Sequence, residues 1–181
     1  MRQLNSLLTT LLLSSSCFSQ GSGPYLSIEE IKINGLPIVK GVDTTQKIAY
    51  YVYIDQSDLT EIIGEPDDVS IRISESYETE IVKLTYGSSH VEFYDSSFGE
   101  GLSKEKYELL SVEINDSTLW LTGKDQKMMI GKSLPDYYSL DGDDDKVLLE
   151  LRRGKINQVS DYVCTLKFKD RKLQKIVAYF D

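Results

Sequence analysis

"EIVKLTYGSSHVEFYD", residues 80–95, alternates apolar and polar positions on both sides of a short Gly-Ser-Ser turn. Alternation with period two marks a half-buried strand, and glycine and serine between two such runs mark a tight reversal. The stretch therefore predicts a hairpin, in which the strand ending at Tyr86 turns back into one carrying Phe93. The same pattern recurs outward in both directions. It is found at 27–35, 47–54, 69–74, 109–115, 118–123, 127–131, 146–152, 162–169 and 173–180. Tyr, Val, Ile and Phe are abundant in these runs, as strands prefer. Turn residues punctuate them at Asn34-Gly35, Asn115-Asp116 and Lys169-Asp170.

Helix is expected in two or three short places. In "DQSDLTEIIG" (55–64), Asp55 or Ser57 can cap the N-terminus, while Asp58 and Glu61 suit its positive end. Leu59, Ile62 and Ile63 are spaced to share one face. Gly64 can adopt a left-handed closing conformation and Pro66 cannot continue a helix. A second helix is expected at "SLPDYYSL" (133–140), with Ser133 as cap and Pro135 early in the first turn. A third segment, 102–110, fits either a helix capped by Ser103 or the approach to a strand. The expected class is α+β, rich in antiparallel sheet with two or three short helices.

The chain has 181 residues, 40% of them hydrophobic and 27% charged, which fits a folded soluble protein. Its net charge of −9 and pI near 4.7 disfavour nucleic acid and anionic membrane surfaces, both of which need a basic face. The N-terminus, "MRQLNSLLTTLLLSSSCFSQG", has one positive charge, an apolar run from Leu7 to Leu13 and then small residues. That is the build of a secretory signal peptide, and the run falls short of the ~20 residues that span a bilayer. Two processing routes stay open. Cleavage after Ser19 gives a secreted or periplasmic protein. Alternatively "LSSSC" is a loose lipobox, residues 1–16 are removed, and Cys17 is lipidated as an outer-membrane anchor. Either way Cys164 is the one thiol left, so no intramolecular disulfide forms. Its place in an alternating run makes it a small buried hydrophobe.

After a signal at 1–19 and a flexible lead at 20–26, two units are expected, 27–123 and a smaller 124–181 packed on it. Each reads as a short helix with strands that form a tight hairpin, so the halves form a possible repeat. The matching residues are Leu59, Ile62, Ile63, Gly64, Pro66, Tyr86 and Phe93, then Ile130, Gly131, Ser133, Leu134 and Phe168. This arrangement resembles the small envelope lipoproteins of the outer-membrane assembly machinery, and the β-lactamase-inhibitory proteins that carry such a unit in tandem. The resemblance implies a non-enzymatic binding module of the envelope. Departures are a first helix shorter than the family's two-helix layer, no Gly-x-Pro after the second helix, and no disulfides.

No nucleotide-binding, nucleophile-elbow or zinc-protease motif occurs, and no cofactor is implied. His90 is the single histidine, so a hydrolase would have to run through it with nearby acids. Asp141, Asp143 and Asp145 are spaced like the first three ligands of a calcium loop. The sixth and twelfth positions are Lys146 and Arg152 instead of Gly and Glu, leaving a weak irregular Ca²⁺ candidate. Tyr51 and Tyr53 share one side of "AYYVY" and are candidates for a partner surface, and Trp120 reads as core. The expectation is an exported binding protein with a protein partner, touching membrane solely through a lipid at Cys17. The alternatives are a small periplasmic hydrolase using His90 and a lipid-anchored structural component of the envelope.

Overall fold

The computed structural model describes residues 25–43, 50–75, 78–95, 107–124, 126–133, 145–153 and 158–180. Its strands are β1 (Tyr25–Ser27), β2 (Lys32–Ile33), β3 (Leu36–Pro37), β4 (Val39–Asp43) and β5 (Tyr50–Tyr53), followed by helix α1 (Gln56–Ile63). Then come β6 (Asp68–Ser74), β7 (Thr79–Tyr86), β8 (Ser89–Asp95), β9 (Tyr107–Ile114), β10 (Leu121–Gly123) and β11 (Gln126–Met128). The last three are β12 (Lys146–Arg153), β13 (Gln158–Lys169) and β14 (Lys172–Tyr179).

Eight strands form one mixed sheet in the order β1-β12-β13-β14-β9-β8-β7-β6, with β1 parallel to β12 and the other neighbours antiparallel. A four-stranded sheet (β11-β10-β2-β3) and a β4-β5 pair complete the described structure. The cross-strand register lines up one apolar row over seven strands. It runs Val69, Leu84, Val91, Val112, Ala178, Cys164, Leu149. Directly paired residues point to the same side of a sheet, so this row defines its inner face. From Leu84 to Leu149 each member is at most 1% exposed. Ile33, Leu121 and Met128 of the small sheet, Ile38 and Ile54, and Leu59 of α1 join the same buried cluster. Both halves, 27–123 and 124–181, contribute strands to the large sheet and residues to that cluster.

The α+β expectation is corrected. The protein is mostly sheet, and α1 is the one α-helix among the described residues. At 107–110 the chain is already in β9, where Tyr107, Glu108 and Leu109 pair with β8 and Phe180 N–H donates to Leu110 O at 2.9 Å, so cross-strand bonds satisfy the backbone that a helix would have bonded internally, while 102–106 lie outside the described residues. Near 133 tertiary pairing also prevails over local capping. Gly131 N–H donates to Leu173 O at 2.8 Å, Leu173 N–H donates to Lys132 O at 2.8 Å, and Ser133 bridges to Lys172. The rest of that expected helix, 134–140, lies outside the described residues. The first run, 27–35, breaks into a 3₁₀ turn, Ile28–Glu30, and the β2–β3 hairpin. Asn34 and Gly35, with φ of 49° and 89°, supply the positive pair that a primed hairpin turn requires.

Helix α1 forms as its caps dictate. The Asp55 carboxylate accepts from Asp58 N–H at 2.9 Å, and Asp58 accepts back from Asp55 N–H at 3.0 Å. Lys40 closes over both carboxylates at 2.9 and 2.6 Å. Leu59 is buried and Ile63 packs on the core, but Ile62 is 53% exposed, so the expected three-residue face narrows to two. Gly64 ends the helix at φ 99°, ψ −175°. That is an extended conformation reserved for glycine, not the expected left-handed turn, and it throws the chain outward toward β6.

Candidate functional site

The inner face runs out at β6. Val69, Ile71 and Ile73 pair with Leu84, Val82 and Glu80 of β7, so all three project on the side that elsewhere forms the core. Yet they are 50%, 61% and 68% exposed. Ser70 and Arg72, on the outer face, are also exposed. Among the described residues no strand pairs with the far edge of β6. Alternate residues of such an edge present unpaired N–H and C=O groups to solvent. Among the described residues the site therefore combines a sheet edge to which no strand is paired and an apolar row, of which Val69 and Ile71 lie beside core residues of β7 and Ile73 beside Glu80. Acidic Asp68 opens the strand, and Glu65, Asp67, Glu75 and Glu78 flank it.

Its position is fixed from the N-terminal end. Tyr86 donates its hydroxyl to Gly64 O at 3.3 Å, and Asp67 N–H donates to Thr85 O at 2.8 Å. Gly87 N–H donates to the Asp67 carboxylate at 2.6 Å. On the outer face Arg72 reaches Glu92 at 3.3 Å, and Glu92 accepts from Ser111 at 3.0 Å. The "GEPDD" turn thus delivers β6 onto β7 and holds it there. The opposite edge of the sheet differs. β1 is three residues long, and the Tyr25 ring lies under Lys124 and Arg152 at 4.1 and 4.4 Å.

The residues singled out from sequence fall elsewhere. Tyr53 is 6% exposed, so it is core and not partner surface. The Tyr51 backbone pairs with Val42 in β4-β5, and its side chain lies outside the described set. Cys17, Asp141 and Asp143 lie outside the described residues. Asp145 immediately precedes β12 and accepts from Phe168 N–H at 2.6 Å through its carbonyl. Among the described residues no cluster of His, Cys, Asp and Glu is placed to hold a metal. Trp120 is half-buried, with Lys127 Nζ 3.7 Å from its ring centre.

His90 is half-buried on the outer face, opposite Thr85 and Glu113. Burial and the neighbouring Lys83 push its pKa below 6.5, against the opposite pull of Glu113 and Glu92. A cleft of ≈ 710 Å³ is lined by Asp55, Gln56, Ser57, Thr60, Glu61, Glu65 and Tyr107. Register places Tyr107 on the inner face with Phe93, so the sheet separates this cleft from His90. Cys164, in the inner row, is separated from His90 in the same way. Burial pushes the Cys164 thiol up to about 12, which leaves essentially no thiolate at neutral pH. In native protein treated with iodoacetamide, peptide mass spectrometry is expected to find Cys164 unmodified, and modified once urea is added. Rapid native alkylation would mean that the inner face opens.

Comparison with protein-family models, curated proteins and solved structures finds no match.

The β6 edge was missed in the sequence because "VSIRIS" alternates like any half-buried strand. Edge position is a property of long-range strand order, and no local residue signals it.

Proposed function

We propose that this chain is an exported, non-catalytic interaction protein that receives an extended partner strand along β6. The supporting observation is the exposed row Val69, Ile71 and Ile73 on a sheet edge that no strand pairs among the described residues. Strand addition at such an edge obtains affinity from main-chain hydrogen bonds and specificity from alternate side chains. An incoming strand with apolar residues at every second position would extend the inner face by one row. Export is argued from Arg2, the Leu7–Leu13 run and the small residues after it.

The test is fluorescence anisotropy with short labelled peptides that alternate Val or Ile with Ser or Lys. The native chain is expected to bind them. Ile71→Lys, at a position already exposed, is expected to weaken binding roughly tenfold or more, since one buried Ile side chain stabilises by about 1.5–3 kcal/mol. Peptides N-methylated along one edge should bind least. If no alternating peptide binds the native chain, or if Ile71→Lys binds equally well, the reading fails.

A further inference from the structure

The identity of the strand received at β6 can be taken one step further, resting on the docking reading above. We propose that the occupant is β6 of a second copy, paired antiparallel about a two-fold axis through Ile71.

The sequence of β6 complements itself. "VSIRI", residues 69–73, reads apolar, polar, apolar, polar, apolar in either direction. With Ile71 on the axis, Val69 meets the second copy's Ile73, Ile71 meets its own counterpart, and Ser70 meets the second copy's Arg72. All the exposed inner-face residues of the edge are then covered at once, each by an apolar side chain. On the outer face Arg72 lies diagonally from the second copy's Asp68 on one side, a pair of opposite sign, and from the second copy's Arg72 on the other, a pair of like sign. The inner rows of two eight-stranded sheets become continuous through the junction.

The closed form follows from the other edge. A head-to-tail contact of β6 on β1 would leave a β6 edge at one end and run on into a ring or a filament. Strand β1 offers three residues, and the Lys124 and Arg152 charges stand over Tyr25 there, so it is a poor template. Pairing β6 with β6 consumes both good edges and stops at two copies. Two features oppose it. The two Arg72 side chains lie diagonally across the axis, and Asp67 comes opposite the second copy's Glu75 at each end. Salt screens both repulsions, so the dimer should tighten as salt is added.

Sedimentation velocity of the full chain tests this. A concentration-dependent shift from monomer to dimer is expected, strengthened by sodium chloride and lost in Ile71→Lys with an unchanged circular dichroism spectrum. In a Cys17→Ser background, Ile71→Cys is expected to form a disulfide-linked dimer under mild oxidation. Asp68→Cys is not, because in this register the two copies of position 68 are roughly 20 Å apart at about 3.4 Å per residue. A monomer at every concentration, or a dimer indifferent to Ile71→Lys, overturns self-pairing. If that monomer still binds alternating peptides in an Ile71-dependent way, the docking reading survives alone. If it binds none, both readings fall.

Discussion

Phe93→Ala is expected to lower stability by about 3–5 kcal/mol, the usual range for removing a buried aromatic ring. The expectation rests on where the residue sits. Phe93 is fully buried on β8, with Val82 opposite on β7 and Leu109 opposite on β9. The register slips by one residue between Glu92 and Phe93. The ring is therefore at the point where the ladder is least regular, and neighbouring backbone can collapse least easily into the space left behind. For a chain of this size each kcal/mol shifts Tm by about 2–4 °C, so a fall of roughly 6–20 °C is expected by calorimetry. Phe93→Leu, which retains most of the volume, should lose much less. A loss below about 1 kcal/mol for the alanine variant would mean that the inner face is not packed as described.

The hairpin around Phe93 is also the part of the fold most legible in the sequence. Residues 80–86 and 90–95 alternate cleanly and became β7 and β8 within a residue at either end. The runs at 69–74, 146–152 and 173–180 did equally well, because a strand half-buried in a sheet writes its period into its own side chains. The cap at Asp55 and the stop at Gly64 were legible for the same local reason. What could not be read was order. That β14 sits between β13 and β9, and that β1 lies beside β12, depends on pairings between residues far apart in the chain. The expected α+β class with two or three helices came from reading each half's local pattern without those pairings.

The candidate site failed to show for a related reason. Tyr51 and Tyr53 drew attention as a dense aromatic run, and Tyr53 proved to be packing, as aromatic residues mostly are. Val69, Ile71 and Ile73 look like any strand's inward face until the sheet is seen to end with them. An edge is recognised by which neighbour is missing, and sequence records only the residues present.

Asp116→Ala is expected to destabilise the protein by about 2 kcal/mol, a figure reduced for the partial exposure of the group. The Asp116 carboxylate gathers the β7–β8 turn onto the loop that follows β9. It accepts from the Ser88 backbone N–H, from the Ser88 hydroxyl at 2.8 Å, from the Ser89 hydroxyl at 3.0 Å and from Thr118 N–H at 2.9 Å. Burial alone would raise its pKa. The donors from Ser88 and Thr118 outweigh that and hold the carboxyl well below the ordinary 3.8. The sign of the pH dependence follows. A carboxyl depressed in the folded state contributes its stability in full above the unfolded value, and loses it as pH falls below about 4 toward the folded value. The native chain should therefore lose Tm below pH 4 more steeply than Asp116→Asn, and the gap between the two should narrow as acid is added. A constant gap from pH 6 to pH 3 would mean that the charge contributes nothing. Gly87→Ala attacks the same contact from the other side. Gly87 has φ 62°, and a Cβ there would stand 2.5 Å from Asp116 Oδ2. The added methyl would strain the turn and push the carboxylate off its donors together. Combined with Asp116→Ala, it should cost less than the two single losses added, because both act on one network.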